Sequence, residues 1–171
     1  MKSTKKIIRL SLLTTIALTI FIVEANLPPL APIPGIKLGL ANVVTLLVLM
    51  MYGYKEAIVV LFIRIILGSI FAGQMMSFLY SFIGGMLCLI VMSIAAKILS
   101  KSSIWFISIL GAIAHNIGQL IVAIIVMNTT YILYYVPILM ISGVLTGLCT
   151  GIIVQYSVNN YKIIDKIIKE V

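Results

Sequence analysis

The chain has 171 residues, of which 63% are hydrophobic and only 9% are charged, and its mean hydropathy is +1.27. A soluble domain carries roughly a quarter charged residues, so this composition excludes a soluble protein and predicts one embedded in lipid. The net charge of +8 does not indicate nucleic acid binding, because the basic residues lie mostly at helix ends and tails and not in one stripe.

Six apolar stretches are candidates to cross a bilayer, which takes about 20 helical residues each. An all-α integral membrane protein is predicted, because helices satisfy their own backbone hydrogen bonds in lipid. The second stretch is short, which suggests tilt or a thin local bilayer. Brief connections predict one compact bundle in which sequential helices are antiparallel neighbours. The predicted spans are residues 7–25, 38–51, 56–72, 77–99, 104–127 and 131–156.

Residues 26–36 connect the first two spans and contain four of the five prolines in the chain. Proline fixes φ and offers no N–H donor, so a stiff, non-helical segment is predicted. Two interpretations remain open for it: a loop lying at the membrane interface, or a lid packed over the outer mouth of the bundle. Lys37 follows directly, just beneath this segment.

Arg64 lies midway along the third span, about 12 Å from either end at 1.5 Å per residue. Ionisable side chains at such depth are costly and usually mark function. Glu24 and Glu56 are the acids nearest the membrane, and neither is expected within reach of Arg64, although Glu24 could dip inward. One interpretation is that Arg64 binds backbone carbonyls or a helix C-terminus. The other is an anion clamp, because guanidinium binds carboxylate or phosphate through two parallel bonds.

Polar side chains also mark the fifth span, where His115 and Gln119 are four residues apart and share one face. A lone buried histidine is often only a packed core residue. Together with neighbours from other spans, however, these groups predict a cavity for an anionic or polar small molecule with apolar bulk. The predicted substrate-binding residues are Arg64, His115, Asn116, Gln119, Asn42, Lys37 and Tyr80.

The sixth span carries glycine at four-residue spacing, at Gly143, Gly147 and Gly151. Small residues let helices approach closely, which fits either packing inside the bundle or a docking face for a partner. Residues 159–171 predict an amphipathic basic tail that lies on the cytoplasmic membrane surface or against a partner. The chain is therefore divided into a six-helix transmembrane domain, 1–158, and this tail.

Orientation follows from the basic residues in the short loops, which are enriched on the cytoplasmic side. With the N-terminus inside, only Lys37 is left outside, so both termini are predicted to be cytoplasmic in a multi-pass protein of the cell membrane. The basic residues on the predicted inner side are Lys2, Lys5, Lys6, Arg9, Lys55, Lys97, Lys101, Lys162, Lys166 and Lys169.

Several kinds of chemistry are excluded by composition. The chain has no glycine-rich phosphate loop, so it is not expected to hydrolyse ATP itself. Its one aspartate, Asp165, lies in the tail, so no acidic pair can hold magnesium at a diphosphate. One histidine and two scattered cysteines offer no zinc site. The chain is predicted not to be an enzyme, with no catalytic residue, metal or cofactor.

Seven short motifs, in their order and spacing, resemble a known family. They are PGIKLGLAN at 34–42, YKEA at 54–57, RIILGS at 64–69, FLYS at 78–81 with GG at 84–85, AHNIGQ at 114–119, YYVP at 134–137 and SG at 142–143. The resemblance extends over residues 8 to 155. The family is that of membrane proteins described as heptaprenyl diphosphate synthase component I, grouped with the Gx transporters.

That family is similar to the substrate-binding (S) components of energy-coupling factor (ECF) transporters. The resemblance implies a six-helix S-component-like bundle with an outward-facing pocket, lidded by its first loop. It also implies partners, namely a coupling membrane protein and two ATPases. S components often present an Ala-x-x-x-Ala face on the first helix, and this chain has Ser11, Thr15 and Thr19 at that spacing.

The expected function is therefore that of an S component for uptake of a small, anionic, partly apolar compound across the bacterial cytoplasmic membrane. Candidates are an isoprenoid or quinone precursor, or a vitamin-like molecule. Two alternatives remain open. One is a membrane subunit associated with heptaprenyl diphosphate synthesis, which rests on the family's name. The other is the membrane anchor of a redox complex, which rests on the Gly143 ladder and the basic tail.

Overall fold

The computed structural model describes residues 2–26, 37–73, 75–99 and 103–170, and side chains except those of residues 2, 3, 75 and 162–170. All regular elements in these ranges are helices. The proline-rich residues 27–36, predicted as an interfacial loop or a lid, lie outside the described ranges. The helices are α1 (Lys2–Ala25), α2 (Asn42–Tyr52), α3 (Tyr54–Ala72), α4 (Met75–Ile98), α5 (Ile104–Met127) and α6 (Val136–Glu170), with a short 3-10 helix at Tyr131–Tyr135 before α6.

Four of the described helices, α1, α4, α5 and α6, contain stretches long and apolar enough to cross a membrane. The bundle also exposes large apolar side chains such as Ile98 and Ile125, which are 78% and 72% exposed. A surface of this kind is suited to lipid and not to water. Helix α2 has only 11 residues, and α3 carries Lys55, Glu56 and Arg64 within 19 residues. The chain is thus a helical membrane protein.

The six predicted spans fall on the six α-helices, but three helices start more than two residues from the predicted position. Helix α1 begins at Lys2, five residues before the predicted span. The second helix was predicted from residue 38, but Lys37–Ala41 is non-helical and α2 begins at Asn42. The sixth was predicted from residue 131, but Tyr131–Tyr135 forms a 3-10 helix and α6 begins at Val136. Pro137 stands in the first turn of α6, where its missing N–H costs nothing.

Helix α6 continues without a break through the region that was predicted as a separate tail. It runs from Val136 to Glu170 over 35 residues. The side chains of 162–170 lie outside those described, so an amphipathic tail on the membrane surface stays a prediction.

Helix α2 occupies the centre of the bundle and contacts each of the other five α-helices. Six of its 11 residues are buried, and Leu46 and Val48 are fully so. Around them, a main hydrophobic cluster joins α2 to α3 and α4 through residues such as Leu61 and Leu89. A short helix that is surrounded by others is stabilised mainly by this packing.

The glycine ladder of α6 packs against α5. A Cβ built on Gly147 would lie 2.6 Å from the Cα of Ile109, and one on Gly151 would lie 2.5 Å from the Cα of Trp105. These distances are far below ordinary contact, so the two backbones approach as closely as glycine permits. Of the two interpretations of this ladder, the structure supports packing inside the bundle.

We expect Gly147→Ala to destabilise the protein by about 1–3 kcal/mol, the usual effect of overpacking, because the new methyl group would force α5 and α6 apart. Thermal unfolding in detergent measures this effect. Leu145→Ala on the exposed face of the same helix is the matched control and should change the melting temperature much less. Equal melting temperatures for both variants would contradict the close packing.

Candidate functional site

Two side chains of the bundle accept hydrogen bonds from backbone N–H groups of the non-helical stretch Lys37–Ala41. The N–H of Lys37 donates to Gln119 Oε1 at 3.3 Å, from α5. The N–H of Gly39 donates to Glu24 Oε1, from α1. Buried backbone N–H groups outside a helix need acceptors from elsewhere in the protein. This stretch therefore requires polar side chains around it, and they form the candidate site.

Gly39 lies at the centre of these polar groups. Its φ of +80° is in the region that favours glycine. A Cβ here would lie 2.8 Å from Cδ2 of His115 and 3.0 Å from Nδ2 of Asn42. The ring of His115 and the amide of Asn42 thus meet at Gly39, which joins α2 and α5 in one site.

Arg64 enters the same site from α3 and is only 2% exposed. Its Nη2 donates to Asn42 Oδ1 at 3.1 Å. Its Nε is buried and has no hydrogen-bond partner within the described part of the chain. The hydrogen bond goes to a side chain and not to a backbone carbonyl. A buried donor without a partner costs roughly 1–3 kcal/mol, so the site holds a guanidinium with unused binding capacity.

His115 and Gln119 form a hydrogen-bonded pair on one face of α5. The Nε2 atoms of the two side chains are 3.0 Å apart. Gln119 Oε1 accepts the hydrogen bond from Lys37, so the NH₂ group of the Gln119 amide faces the imidazole ring of His115. His115 Nε2 therefore accepts, which is the pattern of a neutral histidine. Both side chains are buried, and His115 contributes a polar but uncharged surface.

Lys37 contributes a second cation. Its Nζ lies 3.6 Å from the centre of the Phe21 ring, and Arg64 Cζ lies 6.0 Å from the centre of the same ring, so one aromatic ring lies near both cations. Lys37 Nζ is buried and has no hydrogen-bond partner among the described residues. Burial lowers the pKa of Lys37 to about 8, with Glu24 opposing and Arg64 adding to that shift. The ammonium is therefore mostly charged at neutral pH.

Glu24 turns into the bundle, which is the alternative left open when no carboxylate was expected within reach of Arg64. It lies at the end of α1 and is only 5% exposed, because its side chain turns into the bundle to accept the N–H of Gly39. There it interacts electrostatically with Arg64 and Lys37, without a direct ion pair between these described side chains. The site thus contains two cations and one anion.

Two of the seven predicted residues lie elsewhere. Asn116 Nδ2 donates to the backbone carbonyl of Leu139 at 2.5 Å and so links α5 to α6. Tyr80 is buried in a second hydrophobic cluster with Leu120 and Leu139. The other five predicted residues come together around Gly39. Ligand binding by any of the seven stays a prediction.

Three residues of the site were not among those predicted: Phe21, Glu24 and Gly39. Phe21 and Glu24 are three apart on α1 and therefore share one helix face, which was a usable signal. Gly39 stands between two apolar residues in a stretch that resembles a helix by hydropathy alone.

Taken together, the fold and the polar site define a helical membrane protein with a cationic, largely buried site between its helices. The chain matches the family described as heptaprenyl diphosphate synthase component I over residues 13–157. It belongs to this family, whose name links it to heptaprenyl diphosphate synthesis. No curated protein and no solved structure matches the chain. The predicted family is confirmed, while its likeness to S components stays a prediction.

Proposed function

We propose that the chain is the S component of an ECF-type uptake transporter for a small, anionic, partly apolar compound. The ligand would be an isoprenoid or quinone precursor or a vitamin-like molecule, and the chain itself would catalyse no reaction. The observation that carries the proposal is the pair of buried cations, Arg64 and Lys37, each with a donor atom that has no hydrogen-bond partner among the described residues. An anionic ligand would supply the missing acceptors.

The chemistry of the surrounding groups fits such a ligand. Arg64 offers a planar guanidinium that recognises carboxylates and phosphates through charge-assisted hydrogen bonds. Asn42, Gln119 and the neutral ring of His115 add uncharged hydrogen-bonding groups, and Phe21 adds apolar surface. Sites for small molecules are commonly mostly apolar with a few such polar groups.

In the proposed topology all six α-helices cross the bacterial cytoplasmic membrane and both termini are cytoplasmic. Helix α3, with 19 residues, is roughly 28 Å long at 1.5 Å per residue, close to the hydrocarbon thickness. Central α2 needs less length because protein surrounds it. Lys6 pairs with Glu56, and Arg9 donates to Tyr161 at 3.0 Å, which gathers basic residues at one end, as the positive-inside rule expects.

The proposed partners are a coupling membrane protein and two ATPases, with α1 as the docking helix. Thr15 Oγ1 donates to the carbonyl of Ser11 and Thr19 Oγ1 to that of Thr15, each at 3.0 Å. Because the hydroxyls of Thr15 and Thr19 are satisfied within the helix, these two side chains present mainly their methyl groups to a partner. Ser11 and Thr15 also line a groove of about 420 Å³ between α1 and α3, which a partner helix would fill.

A second candidate function is favoured by the family name: a membrane subunit that assists heptaprenyl diphosphate synthesis. The chain has four acidic residues in all, so a magnesium-dependent reaction would need a soluble catalytic partner. Prenyl substrates and magnesium, with and without such a partner, distinguish this candidate. A product, or a faster partner, would favour it over the transporter.

To test the proposed function, wild-type and variant proteins are purified from the native membrane, and native mass spectrometry measures which small molecules co-purify with each. We expect an anionic compound on the wild type and at least about tenfold lower occupancy on Arg64→Gln, since charge-assisted bonds in a buried site are strong. Lys55→Gln removes an exposed charge and is the control, with unchanged occupancy expected. Equal occupancy of Arg64→Gln and wild type would contradict the clamp.

A further inference from the structure

Glu24 has an unusual position for a carboxylate in a site proposed to bind anions. It is 5% exposed and interacts electrostatically with both cations of the site. Its Oε1 accepts the backbone N–H of Gly39. Burial opposes the charged form of this carboxylate, while the hydrogen bond from Gly39 and the two cations favour it. In its charged form, Glu24 requires any anion that enters to share Arg64 and Lys37 with a resident negative charge.

The charged and polar side chains that face this position come from four helices and the stretch before α2. Arg64 on α3 and Lys37 each supply one positive charge, and Glu24 on α1 supplies one negative charge. His115 and Gln119 on α5 and Asn42 on α2 are neutral, as the acceptor role of His115 Nε2 indicates. Among the described side chains at this position, one positive charge is left uncompensated.

We infer that Glu24 restricts the site to ligands that carry a single negative charge, and so selects carboxylates over diphosphates with the same apolar chain. The inference rests on the proposed function and deepens it by naming the ligand class. A monocarboxylate neutralises the site. A diphosphate brings excess negative charge into a buried region, where like charges repel strongly because solvent screens them little.

The substitution Glu24→Gln isolates the charge of this residue. Glutamine keeps an oxygen that accepts the N–H of Gly39, so the contact that orders Lys37–Ala41 is retained while the charge is lost. Glu24→Asp does the reverse: it keeps the charge and shortens the side chain. Glu56→Gln makes the same substitution at an exposed position that pairs with Lys6 and serves as the control.

The experiment measures binding of geranic acid, geranyl diphosphate and geraniol to purified protein in nanodiscs by calorimetry. Because the three probes share one apolar chain and differ in their head group, geraniol corrects for partition into lipid. We expect wild type, Glu56→Gln and Glu24→Asp to prefer geranic acid over geranyl diphosphate by about tenfold or more. In Glu24→Gln that preference should shrink several-fold or reverse.

The outcomes separate the inference from the function on which it rests. Binding with the same preference in wild type and Glu24→Gln overturns the inference and leaves the proposed function standing. Tighter binding of geranyl diphosphate by the wild type also overturns it, and favours the second candidate function. Binding of none of the probes by either protein overturns the anion site together with the inference.

Discussion

Arg64→Leu should lower the free energy of unfolding by roughly 2–4 kcal/mol, between the effect of one unsatisfied buried group and that of a broken buried charge pair. The substitution removes the donor to Asn42 and half of the positive charge that faces Glu24. Both remaining groups are buried, so water cannot replace what is lost. Chemical unfolding in detergent, followed by circular dichroism, measures the effect.

A double-mutant cycle assigns the charge part of this effect. Glu24→Gln removes the carboxylate, so the double variant Arg64→Leu/Glu24→Gln should be more stable than the sum of the two single effects predicts. The expected coupling is about 0.5–3 kcal/mol, as for residues in one network. Additive effects would mean that Glu24 and Arg64 do not act on each other, and the description of a mixed-charge site would be wrong.

The exposed pair Lys6–Glu56 provides the control for this cycle. Both pairs join α1 to α3, but solvent reaches Lys6 and Glu56, and solvent-exposed ion pairs contribute little. The cycle Lys6→Leu/Glu56→Gln should therefore show clearly weaker coupling, which added salt reduces further. Equal coupling in the two cycles would contradict the expectation that burial strengthens the interaction between Glu24 and Arg64.

The helices could be predicted from the sequence because their apolar runs are long and end at polar residues. Helix α5 has the predicted bounds of 104 and 127, since its apolar run is followed by Asn128, which takes the left-handed conformation common at helix ends. The start of α2 could not be predicted in this way. Leu38, Leu40 and Ala41 continue the apolar run, and only the φ of Gly39 reveals that the chain is not helical there.

Site residues that share one helix face could be predicted from their spacing in the sequence. Site residues that meet because two helices pack together could not. His115 and Gln119 pair because they are four residues apart. Asn116 lies a quarter-turn away, which directs it to Leu139 on α6 and not to Arg64. The place of Glu24 in the site could not be predicted, because it depends on the extensive packing of α1 on α3 and not only on its sequential neighbour α2. The prediction that helices adjacent in sequence are neighbours was incomplete, because it did not include the contact between α1 and α3.

Gly39→Ala tests whether the backbone of Lys37–Ala41 holds the site together. An alanine at φ +80° costs about 1–3 kcal/mol in backbone strain, and its methyl group would overlap the ring of His115, which adds roughly 1–3 kcal/mol. The bonds from Lys37 to Gln119 and from Gly39 to Glu24 would be displaced with it. We therefore expect both a lower melting temperature and at least about tenfold weaker binding of an anionic ligand, since small displacements in a binding site are costly.

Gly73→Ala separates these two contributions. Gly73 has φ +64° and nothing within 4 Å of an added Cβ, so its substitution carries backbone strain without overlap. The variant should lose stability by about 1–3 kcal/mol and keep its ligand affinity. The excess loss in Gly39→Ala then measures the overlap with His115 together with the two displaced hydrogen bonds. If the two variants lost equal stability and both kept ligand affinity, Gly39 would be an ordinary turn glycine and the site would not be organised around it.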